Sequence, residues 1–172
     1  MFGGVQCERR FSWLRLPQGD EASDIEVEIR VALIEHCRAT QHVQPNPKKR
    51  QCSPEVLAAK LISPAQPRLE FDFYVPKLNT AFEFDERQHF TAERAVSLTC
   101  YDGRFQTGFD VSEWIKKCAE VRSVDADPIW RDWQRAYRDS VRDIRAAENN
   151  IRLVRYSYKC LPTPEDLLAL LG

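Results

Sequence analysis

No cysteine of this chain belongs to a Cys-x-x-Cys pair, no apolar run reaches the length of a membrane span, and neither sign of charge prevails. Each absence removes a class of protein. Six scattered cysteines, at positions 7, 37, 52, 100, 118 and 160, form neither a disulfide framework nor a spaced thiolate set, and they read as buried or free thiols. His36 and His42 with Cys37 and Cys52 are too irregularly spaced for a zinc site. A spanning helix needs about 20 consecutive apolar residues, and the start MFGGVQCERRFSW lacks the apolar centre of a signal peptide. An intracellular, cytoplasmic protein with no membrane partner is expected. A formal charge of −1 argues against a positive coat for indiscriminate nucleic-acid binding, while leaving room for a local basic face. Repeats and low-complexity tracts are absent too. The 172 residues that remain fit one domain, 1–172, with a real core.

The densest chemistry lies in LEFDFYVPKLNTAFEFDERQHF, residues 69–90. Leu69, Phe71, Phe73 and Val75 alternate with Glu70, Asp72 and Tyr74, the period of a strand with one apolar face. Pro76-Lys77-Leu78-Asn79 supplies a turn. In the returning strand Phe82 and Phe84 take one face, and Ala81, Glu83 and Asp85 the other. If the phenylalanines pack into one core, Asp72, Glu83 and Asp85 converge on the opposite side, with His89 close behind. Converging carboxylates repel one another unless a cation lies between them, and hard oxygen donors suit Mg²⁺ or Mn²⁺. Either Glu83 or Asp85 could be the direct ligand beside Asp72. The His89 imidazole, with an ordinary pKa near ~6.5, suits a general base or acid, and it equally suits a polar residue that fixes the turn.

Around this hairpin the chain supplies helices. Residues 1–22 read as an N-terminal arm in which Phe11, Trp13 and Leu16 can dock. Ser23-x-x-Glu26 is a capping box, and Ile25, Ile29, Leu33 and Cys37 continue at near-helical spacing. Residues 40–68 form a Pro-rich insertion with the basic cluster Lys48, Lys49 and Arg50 and a short helix over 54–61; it reads as a solvated loop or a nucleic-acid contact. Tyr101-Asp102-Gly103 marks a turn in an otherwise polar stretch. Asp110-x-x-Glu113 caps a helix to Arg122 with Val111, Trp114, Ile115 and Cys118 inward. Asp127-Pro128 opens a helix to residue 148. Trp130, Trp133, Tyr137, Val141 and Ile144 make its apolar stripe, and Arg131, Arg135, Arg138, Arg142 and Arg145 a basic stripe beside it. The arginines either track phosphates or pair with Asp132, Asp139 and Asp143 along the helix. A buried strand over 151–158 follows, and Thr163-Pro164-Glu165-Asp166 caps a C-terminal helix, 163–172.

Two blocks of the core region 69–158 also resemble a known family. Asp72-Phe73-Tyr74-x-Pro76, then Glu83-Phe84-Asp85-x-x-Gln88-His89-Phe90, resembles the PD-(D/E)xK nuclease superfamily, more narrowly the branch near the very-short-patch-repair and EDxHD homing endonucleases. Asp139-x-x-Arg142, then Asn150-Ile151-x-Leu153-Val154-Arg155-x-x-Tyr158, is similar to that family's D-x-x-K followed by N-x-I-x-L-I-R-I-x-Y. Glu26-x-x-Ile29-x-x-x-Leu33 weakly resembles its first helix, where a glutamate points into the site; a plain cap is the other reading of Glu26. Glu86 stands where the branch has glycine, Asp85 where the familiar lysine falls, and Arg142 where D-x-x-K has lysine. Very-short-patch-repair enzymes carry a structural zinc, for which no ligand set is found here.

The resemblance implies an α/β fold, a central mixed sheet flanked by helices in a restriction-endonuclease-like core. It implies an Mg²⁺- or Mn²⁺-dependent DNA endonuclease, a nickase included, of mobile-element, phage or defence type. Asp72 with Glu83 or Asp85 would hold the metal, His89 would move protons, Gln88 would orient water or phosphate, and Arg142 would replace the lysine's charge. Glu26 and Asp139 would support them. A second reading is a nuclease-fold subunit of weak chemistry that binds nucleic acid or a protein partner in a larger assembly. A third is an ordinary α/β binding domain whose hairpin acids decorate the surface.

Overall fold

The computed structural model describes residues 22–40, 53–62, 70–125, 128–163 and 165–166. Outside them lie the arm up to residue 21, most of the insertion with Lys48, Lys49 and Arg50, and also Leu69, Asp127 and the apolar run after Asp166. The order is α1 (Asp24–Thr40), α2 (Pro54–Ile62), β1 (Phe73–Val75), β2 (Thr80–Asp85), α3 (Ala92–Thr99), α4 (Val111–Val121), α5 (Arg131–Glu148) and β3 (Arg152–Ser157). Among the described residues this is an α/β arrangement of five α-helices and one three-stranded mixed sheet. None of these helices is long and apolar enough to cross a membrane.

The sheet runs β1-β2-β3. β1 and β2 are antiparallel with Phe73 opposite Phe82, while β2 and β3 are parallel from Thr80–Arg152 to Asp85–Ser157. A hairpin needs only a tight turn, whereas a parallel pair needs a long crossover, here α3, α4 and α5. Pro76–Leu78 makes one 3₁₀ turn, closed by Asn79 in the left-handed region at φ 46°, a conformation asparagine tolerates. The Asn79 amide donates to the Asn150 carbonyl at 2.9 Å, and its own carbonyl accepts from Arg152 N–H at 3.0 Å. The hairpin tip is thereby pinned to the turn that launches β3.

Pairing register sorts the side chains. Ala81, Glu83, Asp85, Leu153, Arg155 and Ser157 share the inner face and are all buried, with Ala146 of α5 packed against Ala81 and Leu153. Phe82, Phe84, Val154 and Tyr156 share the outer face with Phe73. The alternation of the hairpin therefore separates aromatics from carboxylates as expected, but the carboxylate face is the more completely buried, Phe82 and Val154 being the buried members of the other. The carboxylate face lies under the helices, while Phe73 is 47% exposed and Phe84 half-buried. Phe71 also leaves the expected set. The chain bends at Asp72, and Phe71 turns inward onto Ala81, Ile151 and Leu153.

The main apolar core is helical: Ile29, Leu33, Leu57, Leu98, Trp114, Trp133, Tyr137 and Ile144 belong to one cluster. The α5 stripe packs as its spacing predicts. The helix starts at Arg131 rather than Pro128, because Pro128–Trp130 forms a turn closed by Arg131 N–H onto the Pro128 carbonyl at 2.9 Å. Asp110 caps α4 by accepting from Glu113 N–H at 3.0 Å, and Thr163 and Asp166 cap one another. Helix α3 falls in the stretch expected to be polar loop; Thr91 caps it, and it carries the buried Arg94 inward. Along β3, Gly108 lies so close that a Cβ there would stand 1.9 Å from the Leu153 carbonyl oxygen, so no larger residue fits.

Candidate active site

Two of the three hairpin carboxylates meet. Asp72, at the bend before β1, and Glu83, in mid-β2, line one open cleft of about 520 Å³ together with Phe73, Phe84 and Arg142. Asp72 Oδ2 accepts from the Phe84 N–H at 2.8 Å, which holds the carboxylate beside β2 where β1 has not yet begun. Glu83 is nearly buried, and its Oε1 has no hydrogen-bond partner; Arg142 Nε stands 3.8 Å away. Burial pushes the Glu83 carboxyl up to about 7, against the pull of Arg155 and Arg142 and with help from Asp72. A buried, unpartnered anionic oxygen beside a second carboxylate is a donor set that a hard divalent cation fits.

This site costs stability in a pH-dependent way. Glu83 ionises at an ordinary value of 4.5 when unfolded and at about 7 when folded. The folded state thus holds the proton longer, and its stability falls as pH rises from the lower value to the higher. Glu83→Gln is therefore expected to raise the melting temperature at pH 8, by a stability gain on the order of 2 kcal/mol. At pH 4, where both states are protonated, it should leave melting unchanged. Thermal denaturation at the two pH values checks this; an equal shift at both would mean that ionisation is not the cause.

Asp85 goes elsewhere. Its Oδ2 accepts from Trp114 Nε1 and its Oδ1 from Arg155 Nη1, both at 2.6 Å, and it is buried. Arg155 extends the network to Asp143 at 2.8 Å and to the Asp139 carbonyl at 3.3 Å. Asp143 in turn accepts from Arg94 and from the Tyr101 hydroxyl, both at 2.6 Å. These groups sit inside the protein as compensated charge, which is the condition for burying it.

His89 connects that interior to the surface. Its Nδ1 lies 2.8 Å from Asp139 Oδ2 and 3.7 Å from Asp85 Oδ1, and the side chain keeps 19% exposure. Burial alone would lower the imidazole pKa; Asp139, reinforced by Asp85, outweighs it and holds the value above the ordinary one. Asp139, although buried, is held well below the usual carboxylate range by His89 and Arg155. With Nδ1 donating to Asp139, the Nε2 edge is the one left for proton transfer. Arg142 Nη1 reaches the other Asp139 oxygen at 3.0 Å. Through Arg142 the His89–Asp139 pair adjoins the Asp72–Glu83 cleft.

The remaining expected residues are scattered around this centre. Gln88 turns its amide onto Glu86 at 2.6 Å. Glu26 is buried on α1, pairs with Arg145 at 3.0 Å and accepts from the Ser23 N–H. Among the described residues it makes no hydrogen bond or ion pair with Asp72, Glu83 or His89. The reciprocal half of its capping box is missing, since the Ser23 hydroxyl is buried without a partner. Of the five arginines on α5, four are tied down. Arg131 pairs with Asp125, Arg135 with Asp132 and Asp125, Arg142 with Asp139, and Arg145 with Glu26 and Glu148. Arg138 is exposed and, among the described residues, makes no ion pair. Spacing showed the stripe but not its partners, four of which (Asp125, Glu26, Glu148 and, at 3.8 Å, Glu83) lie outside the set expected. Arg94 and Trp114 gave no sign of their hydrogen bonds to Asp143 and Asp85. Within the described residues no group of three or more His, Cys, Asp or Glu side chains is gathered as a metal site. Cys100, Cys118 and Cys160 are free thiols.

Compared with known proteins, the chain matches no family model, no curated protein and no solved structure.

Proposed function

We propose that the chain is a metal-dependent endonuclease acting on DNA inside the cell, its three strands forming the heart of a restriction-endonuclease-like sheet. The observation that carries this reading is the His89–Asp139 pair standing next to a cleft with an unpartnered buried glutamate. Asp72 and Glu83 would hold Mg²⁺ or Mn²⁺, which when bound supplies Lewis acidity and a more acidic water. His89 Nε2 takes the proton of the attacking water, and Asp139 keeps the imidazole oriented and steadies its positive form. The water oxygen bonds to phosphorus, a P–O ester bond breaks, and the departing alcohol oxygen collects a proton from solvent. Arg142 places positive charge at the cleft wall. Asp85, with both oxygens occupied, acts as a support that fixes Arg155 and Trp114.

A second reading has its own observation. Four of the five α5 arginines are spent on carboxylates, leaving little free charge to hold a duplex. That favours a weakly active subunit that obtains affinity or specificity from a protein partner. Supercoiled plasmid with Mg²⁺, Mn²⁺ or EDTA separates the two. Metal-dependent nicking or linearisation by the wild type, lost by at least about a hundredfold in Asp72→Ala, is expected from an enzyme of this kind. DNA binding without cleavage under any metal would transfer the assignment to the subunit.

A further inference from the structure

The outer edge of the cleft is aromatic. Phe73 presents nearly half of its surface to solvent at the end of the edge strand β1. Its ring meets Phe84 edge-on, with centroids 6.1 Å apart at 83°, and Phe84 stacks on Tyr156 at 5.7 Å and 23°. A single exposed apolar side chain is ordinary on a protein surface. This one ends a series of four neighbouring rings that runs on through Tyr156 to Phe82, and both Phe73 and Phe84 line the cleft that holds Asp72, Glu83 and Arg142. The Phe84 N–H is also the group that binds Asp72. The rings and the carboxylate are thereby fixed relative to one another through one residue.

We propose that Phe73 and Phe84 form a stacking ledge for an unpaired nucleobase beside the phosphate to be cut, so that the preferred substrate is single-stranded at the point of cleavage. The inference rests on the nuclease reading of the cleft and adds the substrate class. In a duplex the faces of the bases are covered by their neighbours, so a flat aromatic ledge meets only bases that are unstacked. With four of the five α5 arginines paired to carboxylates, a cleft with an exposed ring at its lip gains more from stacking than from wrapping a duplex backbone. An apolar side chain of a protein partner would be the other occupant of such a ledge, and the probes below separate the two.

The full chain, in EDTA so that nothing is cut, is titrated against three fluorescent probes of equal length: an oligothymidylate, an abasic strand and a duplex. Binding of the oligothymidylate about tenfold tighter than either other probe is expected. Phe73→Ala should remove that advantage while leaving the abasic strand's affinity unchanged, and Phe73→Trp should restore it. Exposure of Phe73 makes both variants compatible with folding, which circular dichroism checks. Equal affinity for the oligothymidylate and the abasic strand, or an equal loss on both in Phe73→Ala, overturns the ledge. So does a preference for duplex. If metal-dependent plasmid cleavage stands while Phe73→Ala changes no affinity, the ledge alone fails. If no probe binds at all, the ledge fails, and metal-dependent plasmid cleavage decides the nuclease reading separately.

Discussion

Arg155→Met should lower the urea midpoint of unfolding sharply. Arg155 has no exposed side-chain surface and lies between Asp85 at 2.6 Å and Asp143 at 2.8 Å. Its removal leaves Asp85 with Trp114 and the more distant His89, and puts poorly compensated negative charge on the inner face of the sheet. Breaking a buried pair from one side costs about 3–5 kcal/mol, against a total stability of about 5–15 kcal/mol for an ordinary domain. Lysine cannot substitute, because it lacks the planar fork that serves Asp85, Asp143 and the Asp139 carbonyl together. Urea unfolding followed by circular dichroism reads the effect. Adding Asp85→Asn to Arg155→Met should recover part of the loss, because the orphaned charge is removed with its partner. A single variant that unfolds at the wild-type urea midpoint would show that the network does not hold the sheet to α5.

The same arginine explains why part of the fold was legible in the sequence and part was not. Period-two alternation separates Phe82 and Phe84 from Glu83 and Asp85, and it did so correctly, but alternation names faces without saying which is inside. The usual assumption puts phenylalanines inward. Here Arg155 pairs with Asp85, and Arg94 with the Asp143 of α5 that Arg155 also binds, so that the carboxylate face can be covered. Nothing local marks either arginine as buried. Helix α3 was hidden for the same reason, since Arg94 sits where an apolar residue would have revealed its inward face. Features carried by local chemistry were readable: the Pro76–Asn79 turn, the Asp110 cap and the α5 apolar stripe. Asp72, Glu83, His89, Asp139 and Arg142 could be named as candidates from the sequence, but so could Asp85, Gln88 and Glu26, whose partners lie elsewhere. What pairs with what was not readable, because the 50-residue separation of His89 and Asp139 is closed only by α5 packing beside the 3₁₀ turn Arg87–His89.

The second large effect is kinetic, and it should appear in a pH profile. If His89 is the base, cleavage at saturating Mg²⁺ rises as the imidazole loses its proton, at a pH above its ordinary 6.5 because Asp139 holds the charged form. Asp139→Asn is expected to lower the cleavage rate by about 10²–10⁴ with plasmid affinity nearly unchanged. It should also move the rising limb to lower pH, because the attraction that raised the imidazole pKa is gone. His89→Ala should lose a similar factor and lose the limb itself. The double variant should be no worse than the poorer single one, as for residues that act as a unit. The stability linkage has the same origin. The charged His89–Asp139 pair contributes fully below the unfolded imidazole pKa, and its contribution disappears as pH rises through the higher folded value. With only three histidines in the chain, an NMR titration can follow His89 directly. A downward shift of its midpoint in Asp139→Asn would tie the kinetic limb to this imidazole. A limb that stays in place when the His89 midpoint moves would show that another group governs the titration.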